Sequence, residues 1–159
     1  MFLYCKGIIN AILLLNMDAT KILKVEVGNL KGKMQLTGKG HSASTVAIDY
    51  PSPLGEDNGF TPMELLMISL AGCSIQTIQY ILGKSGVKID DIKAIVTGQR
   101  RMNEHPTILT RIELEYQIMG NNLNASAIEK AIKAAEEKIC PVWAMLDEGI
   151  EIEWKYTIN

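Results

Sequence analysis

Two cysteines, Cys73 and Cys140, are the residues of this sequence best suited to carry chemistry. A cysteine thiolate can attack an oxidised substrate, and the sulfenic acid that forms can condense with a second thiol to give a disulfide. The competing interpretation is two unrelated buried thiols, because free cysteine is commonly buried and inert. Position along the chain alone favours that second interpretation.

Two histidines and one glutamate are further candidates. His41 and His105 could meet the cysteines in a metal site, but each looks first like a turn residue, and no Cys-x-x-Cys or His-x-x-x-His spacing supports such a site. We therefore expect no metal and no cofactor. Glu64 lies nine residues, or two and a half helical turns, before Cys73. A carboxylate alone would raise the pKa of a thiol, so Glu64 could assist only by orienting a cation beside the thiolate.

Cys73 lies in the middle of a long predicted helix, from about Pro62 to Lys84. Thr61 is a favourable N-cap residue, Glu64 three positions later completes a capping box, and Gly86 marks the end. The helix is apolar on nearly all sides, which predicts that it is buried in the centre of the fold.

Cys140 follows a second predicted helix, from about Ala125 to Ile139, which Pro141 terminates. A short helical turn is expected from Val142 to Leu146. Strand-like runs surround the helices: KILKVEVGN, GKMQLTGKG and ASTVAIDY near the start, IKAIVTGQRRM and TILTRIELEYQIMG around a predicted hairpin, and GIEIEWKYTIN at the end. The order βββ-α-ββ-α-β predicts an α+β fold with antiparallel sheets and a long buried central helix.

The composition is that of an ordinary globular domain, with 159 residues, 47% of them hydrophobic and 21% charged. A net charge of -2 without a basic tract argues against nucleic acid as a partner. The three cysteines do not form a secreted disulfide framework, so we expect a cytoplasmic protein with no membrane partner. Residues 1–16 are apolar but too short to span a bilayer, and we interpret them as an extension that precedes the true start at Met17. We therefore leave Cys5 out of the chemistry.

Both cysteine segments resemble motifs of the OsmC/Ohr family, the osmotically inducible and organic-hydroperoxide-resistance proteins. TPMELLMISLAGCSIQTIQYIL resembles the central-helix motif, EEKICPVWAML the second-cysteine motif, and DYPSPLGEDNGFTPMELL the loop that leads into the helix. The resemblance covers Met17 to Asn159 as a single domain and is nearest to the OsmC-like subgroup. It implies an intertwined homodimer with active sites at the subunit interface. It also implies thiol peroxidase activity on organic hydroperoxides, with inorganic peroxide as a second substrate class and a dithiol as reductant.

The resemblance also implies roles for individual residues. Cys73 takes the place of the peroxidatic cysteine and Cys140 that of the resolving cysteine. Glu64 falls in the region where the family carries a glutamate that holds a catalytic arginine.

The arginine itself is where this sequence departs from the family. The family's arginine comes from the N-terminal strands, whereas this chain has no arginine between Met17 and Phe60. Lys33 is the first candidate to replace it, followed by Lys31 and Arg111. The departure keeps an alternative open, a non-catalytic OsmC-like module that binds a ligand or senses redox state.

Overall fold

The protein is represented by a computed structural model that describes residues 22–30 and 34–159. The described residues fall into two compact units, one ending at Phe60 and the other running from Thr61 to Asn159. In chain order the elements are β1 (Glu26–Asn29), β2 (Leu36–Lys39), β3 (Thr45–Ile48), α1 (Pro62–Lys84), β4 (Asp91–Arg100), β5 (Leu109–Met119), α2 (Ala125–Ala134), a π-helical turn (Ala135–Ile139), α3 (Pro141–Leu146) and β6 (Glu151–Ile158). This order confirms the predicted α+β class.

The first unit is built on a three-stranded antiparallel sheet in the order β1-β2-β3. Gly38 in the central strand pairs with Val27 on one side and with Val46 on the other. The three predicted N-terminal strands are therefore confirmed, each shortened to four residues.

Asp49 organises the loop that follows β3. Its side chain is buried and accepts hydrogen bonds from the backbone N–H groups of Tyr50 (2.8 Å), Glu56 (3.1 Å) and Asn58 (3.1 Å) and from the amide of Gln35 (3.3 Å). Burial alone would raise the pKa of Asp49, but these donors outweigh it and hold the pKa below its usual value. The carboxylate is therefore charged, and it fixes the loop to the end of the strand.

The ends of α1 follow the local signals in the sequence. The Thr61 hydroxyl accepts a hydrogen bond from the N–H of Glu64 (3.3 Å), and the Glu64 carboxylate accepts one from the N–H of Thr61 (2.7 Å). This reciprocal pair is the predicted capping box. The helix ends at Lys84, and Gly86 follows with φ of 74°, a conformation that glycine adopts without strain.

One face of α1 is buried in the second unit, where it packs against β4, α2 and α3. The buried residues recur every four positions: Leu70, Ser74, Ile78 and Leu82. Elsewhere on the helix Ile68 is 48% exposed and Tyr80 is 61% exposed. Within this unit the sheet and the two short helices thus bury only one face of α1. The helix α1 is long and apolar enough to cross a membrane, but core helices of soluble proteins meet the same two criteria.

The second sheet has the order β4-β5-β6. β4 and β5 form the predicted antiparallel hairpin, but β6 pairs with β5 in parallel, for example Tyr116 with Tyr156. The expectation of antiparallel sheets is therefore wrong for β6. The physical reason is the connection between β5 and β6, which contains helices and is long enough to return the chain to the same end of the sheet.

The two faces of β5 differ as its alternating pattern predicts. The residues on the inner face are fully buried: Ile112, Leu114, Tyr116 and Ile118. They share one hydrophobic core with α1, α2 and α3. Arg111 and Glu113 belong to the outer face and are partly exposed.

Candidate active site

The structure brings Cys73 and Cys140 together in the second unit. Their sulfur atoms lie 2.8 Å apart, with Cys140 as the donor and Cys73 as the acceptor, and both cysteines are free. One sulfur comes from the middle of α1 and the other from the junction between the π-helical turn and α3. The two residues singled out by their chemistry in the sequence are therefore direct neighbours.

A local irregularity of the backbone positions Cys140. The second predicted helix is regular only to Ala134, and the next five residues form a π-helical turn that the sequence analysis did not anticipate. Its last hydrogen bond joins the N–H of Cys140 to the carbonyl oxygen of Ala135 (3.0 Å). Pro141 then starts α3, and Cys140 acts as the N-cap of that helix by accepting the N–H of Trp143 at its sulfur (3.5 Å). π-Helical turns inside helices are frequent at functional sites.

The two thiols differ in their access to solvent. Cys73 is partly exposed, whereas Cys140 is only 1% exposed and belongs to the hydrophobic core. A substrate in solution can thus reach Cys73, while Cys140 is in contact with the sulfur of Cys73 but not with solvent.

Burial also decides the protonation of Cys140. It raises the pKa of the Cys140 thiol to about 11, and the hydrogen bond with Cys73 adds to this effect, while the N–H of Trp143 acts in the opposite direction. At neutral pH Cys140 is therefore a thiol with a hydrogen to donate.

Two further polar side chains lie in the core that surrounds Cys140. The hydroxyl of Tyr116 and the indole N–H of Trp143 are buried and have no hydrogen-bond partner within the described part of the chain. Sequence reasoning placed Tyr116 on the inner face of β5 but gave it no role, and it gave none to Trp143. The sequence did offer one signal for Tyr116. Its hydroxyl is a polar group, whereas the neighbouring residues on the inner face of β5 are isoleucines and a leucine.

Glu64 lies at the capping box and not at the thiols. The Glu64 carboxylate accepts hydrogen bonds from the backbone N–H of Thr61 (2.7 Å) and from the Thr61 hydroxyl (2.9 Å). These two hydrogen bonds hold the pKa of Glu64 below its usual value, and the one from the backbone N–H has the larger effect. Nine helical residues place it about 14 Å along the axis from Cys73. Capping is thus the role that its contacts display.

Of the three candidate cations, one lies on the outer face of the sheet and two lie outside the residues that the structure describes. Arg111 is on the outer face of β5, opposite the core that contains Cys140, and its guanidinium donates a hydrogen bond to Glu153. That bond raises the pKa of Arg111 above its usual value. Lys33 and Lys31 lie outside the residues that the structure describes. Within the second unit, Arg111 therefore does not face the Cys73–Cys140 pair.

The two histidines lie in different units. Both His41 and His105 are exposed, the first in the first unit and the second in the turn between β4 and β5. Within residues 22–30 and 34–159, no three histidine, cysteine, aspartate or glutamate side chains are grouped to hold a metal ion.

Comparisons with known proteins agree with this architecture. The sequence model of a family described as OsmC-like protein matches residues 55–155. Protein YhfA of Escherichia coli strain K12 is 32% identical over 123 residues, which make up 77% of this chain and 90% of YhfA.

Solved structures match as well. A hypothetical protein from Aquifex aeolicus VF5 is 31% identical with a TM-score of 0.73, and the match covers 88% of this chain and 99% of that one. An organic hydroperoxide resistance protein from Elizabethkingia anophelis has a TM-score of 0.70 at 17% identity, covering 90% of this chain and 100% of that one. At that identity the second likeness is one of fold alone.

Proposed function

Because the chain belongs to the family of OsmC-like proteins, we propose that it is a thiol-dependent peroxidase that reduces hydroperoxides through Cys73 and Cys140. The observation that carries this proposal is the 2.8 Å contact between a partly exposed thiol and a buried one. The accessible sulfur can meet a substrate, and the buried sulfur can meet only its neighbour. This asymmetry supports Cys73 as the site of the first oxidation and Cys140 as the residue of the resolving step.

The reaction has two steps within the protein. The Cys73 thiolate attacks one peroxide oxygen, so that an S–O bond forms, the O–O bond breaks, and the alcohol leaves after taking up a proton. Cys140 then attacks the sulfur of the resulting sulfenic acid, which gives a disulfide and releases water. An external dithiol reduces the disulfide by exchange and restores both thiols.

The substrate class rests on the relatives. A structural neighbour from Elizabethkingia anophelis is named as an organic hydroperoxide resistance protein. The shared fold supports organic hydroperoxides as substrates of this chain, with inorganic peroxide as a second candidate. The partly exposed Cys73 agrees with a substrate that arrives from solution.

A fast first step needs a cation near Cys73, because a thiolate is stabilised by a nearby positive charge. We assign this role first to Lys33 and then to Lys31, with Glu64 as the carboxylate that would orient the cation. A lysine is a point charge and lacks the planar fork of arginine, so the reaction should be slower than in relatives that carry an arginine.

The test is single-turnover oxidation of a Cys5→Ser protein by one equivalent of cumene hydroperoxide without reductant. The parent should consume the peroxide and yield a Cys73–Cys140 disulfide in the peptide map. Cys140→Ser should consume peroxide equally but stop at the sulfenic acid, whereas Cys73→Ser should not react. Equal peroxide loss in the parent and in Cys73→Ser would refute the proposal.

The alternative is a non-catalytic module that binds a ligand or senses redox state. Its specific support is the absence of arginine from the stretch between Met17 and Phe60. Multiple turnovers with excess dithiothreitol distinguish the two functions. A sensor oxidises once and slowly, whereas a peroxidase consumes many equivalents at a constant rate.

We further propose that the protein acts as a cytoplasmic homodimer. The support is the apolar surface that the second unit leaves open, including Ile68 at 48% and Met145 at 72% exposure. Large apolar patches on soluble proteins usually mark interaction sites. Light scattering that finds a stable monomer at low micromolar concentration would exclude the dimer.

A further inference from the structure

A side-chain hydrogen bond links the π-helical turn before Cys140 to the last strand of the sheet. The indole N–H of Trp154 in β6 donates to the carboxylate of Glu136, the second residue of the turn, over 2.8 Å. Both side chains are partly buried. A hydrogen bond to a carboxylate is stronger than one between two neutral groups, so this contact can fix the position of the turn.

Trp154 is a firm anchor for the turn, because its own strand is fixed in the sheet. β6 pairs with β5 so that Trp154 lies opposite Leu114, which is fully buried. The Trp154 side chain packs against the hydrophobic core, and its ring centroid lies 6.2 Å from that of Tyr156. The carboxylate of Glu136 is thus held by a residue that cannot follow a rotation of the turn.

The turn decides in which direction the sulfur of Cys140 points. Its closing hydrogen bond runs from the N–H of Cys140 to the carbonyl oxygen of Ala135, five residues back (3.0 Å). An α-helical turn would use the carbonyl oxygen of Glu136 instead and would hold one residue fewer. One residue corresponds to a rotation of about 100° around the helix axis. Relaxation to an α-helical turn would therefore rotate Cys140 away from Cys73.

Resting on the function proposed above, we propose that Glu136 and Trp154 are positioning residues of the resolving step. Their hydrogen bond holds the turn in its π-helical form, because a turn rotated by one residue would carry the Glu136 carboxylate away from the indole. In the π-helical form the sulfur of Cys140 lies 2.8 Å from that of Cys73, ready to attack it. π-Helical turns are rare, and the bond to β6 supplies a contact from outside the helix that stabilises this one.

The test follows formation of the Cys73–Cys140 disulfide in a Cys5→Ser protein with one equivalent of dithiodipyridine, a small aromatic disulfide. Cys73 reacts first because it is the partly exposed thiol. Its thiolate breaks the S–S bond of the reagent, forms a mixed disulfide and releases one thiopyridone. Cys140 then loses its proton to solvent and attacks the sulfur of Cys73, which forms the protein disulfide and releases a second thiopyridone. The first phase of absorbance reports on access to Cys73, and the second on the position of Cys140.

Two single variants remove the hydrogen bond from opposite sides. Trp154→Phe removes the N–H and keeps an aromatic ring, and Glu136→Ala removes the acceptor. Each should slow the second phase about tenfold and leave the first unchanged, because loss of a hydrogen bond to a charged group shifts the balance between two forms by about that factor. The double variant should be no slower than the slower single one. Glu136→Gln keeps an oxygen that can accept from the indole, so its second phase should stay near the parental rate.

A matched control is Glu137→Ala. It makes the same chemical change at the next residue of the turn, where the side chain is exposed and lies 3.9 Å from the ammonium of Lys138. The control should leave both phases unchanged. Equal slowing of the second phase in Glu137→Ala and Glu136→Ala would overturn the proposal, because the effect would then belong to the turn in general and not to the hydrogen bond.

The outcome is separate from that of the peroxidase assay, because this measurement uses no peroxide. A second phase at the parental rate in Trp154→Phe and Glu136→Ala would overturn the positioning role even if the protein is a peroxidase. Equal slowing of both phases would also overturn it, since that result indicates general loss of structure. A slowed second phase alone supports the role even if peroxide turnover fails. If Trp154→Phe does not fold, the comparison of Glu136→Ala with Glu137→Ala decides.

Discussion

Oxidation of Cys73 and Cys140 to a disulfide should raise the free energy of unfolding by about 4 kcal/mol. The two residues are 67 positions apart. Closing a loop of that length in the unfolded chain removes conformational entropy worth about 4 kcal/mol at 25 °C in the chain-entropy relation. Strain in the folded state should subtract little, since sulfurs at 2.8 Å need to move less than about 1 Å to reach a bond of about 2.05 Å.

The assay is urea unfolding of a Cys5→Ser protein, oxidised and reduced, at one protein concentration. With a denaturant dependence of about 2 kcal/mol per molar urea, the midpoint of the oxidised form should be higher by roughly 2 M. Cys73→Ser, treated with the same oxidant, should show no shift. Coincident curves for the oxidised and reduced parent would refute the reasoning, and a lower midpoint after oxidation would mean that strain exceeds the entropic gain.

Three other predictions concern single charged residues. Glu64→Gln keeps an acceptor for the capping box, so the free energy of unfolding should fall by only about 0.3–1 kcal/mol in thermal or urea unfolding; slower peroxide reduction would add a catalytic role, and equal rates would leave capping alone. Lys33→Met should slow alkylation of Cys73 at neutral pH and Lys33→Arg should preserve it, while superimposable rate–pH curves for parent and Lys33→Met would exclude Lys33. The lowered pKa of Asp49 contributes stability that is present above its unfolded pKa of about 3.9 and is lost as the pH falls further. Asp49→Asn should therefore lower stability at neutral pH and flatten its decline in acid, and an unchanged decline in urea midpoints would contradict this role.

The elements that were predicted well are those with local signals. The capping box at Thr61 and the glycine at position 86 define α1 because caps depend on residues within one turn. The alternation of apolar and polar residues along β5 also predicted its two faces correctly, since its inner face is fully buried. These features are set by neighbours in the sequence.

Other features depend on contacts that a sequence pattern does not contain. The π-helical turn before Cys140 adds one residue to a helical turn without interrupting the apolar pattern, so periodicity did not reveal it. The direction of β6 is set by packing of its long connection and not by its own residues. The approach of Cys73 to Cys140 was implied by family resemblance, whereas the lone phenol of Tyr116 could be recognised only once its surroundings were known.

The parallel pairing of β5 and β6 has a consequence for where the redox pair lies. A connection between parallel strands of one sheet almost always turns with a right hand, because the twist of L-amino-acid strands favours it. The segment that carries Cys140 can therefore cross only one of the two faces of this sheet. The same face receives α1 and Cys73, while the opposite face carries Arg111 and its ion pair with Glu153. The meeting of two distant thiols thus follows from the chirality of the backbone, and a left-handed path would have placed Cys140 among charges.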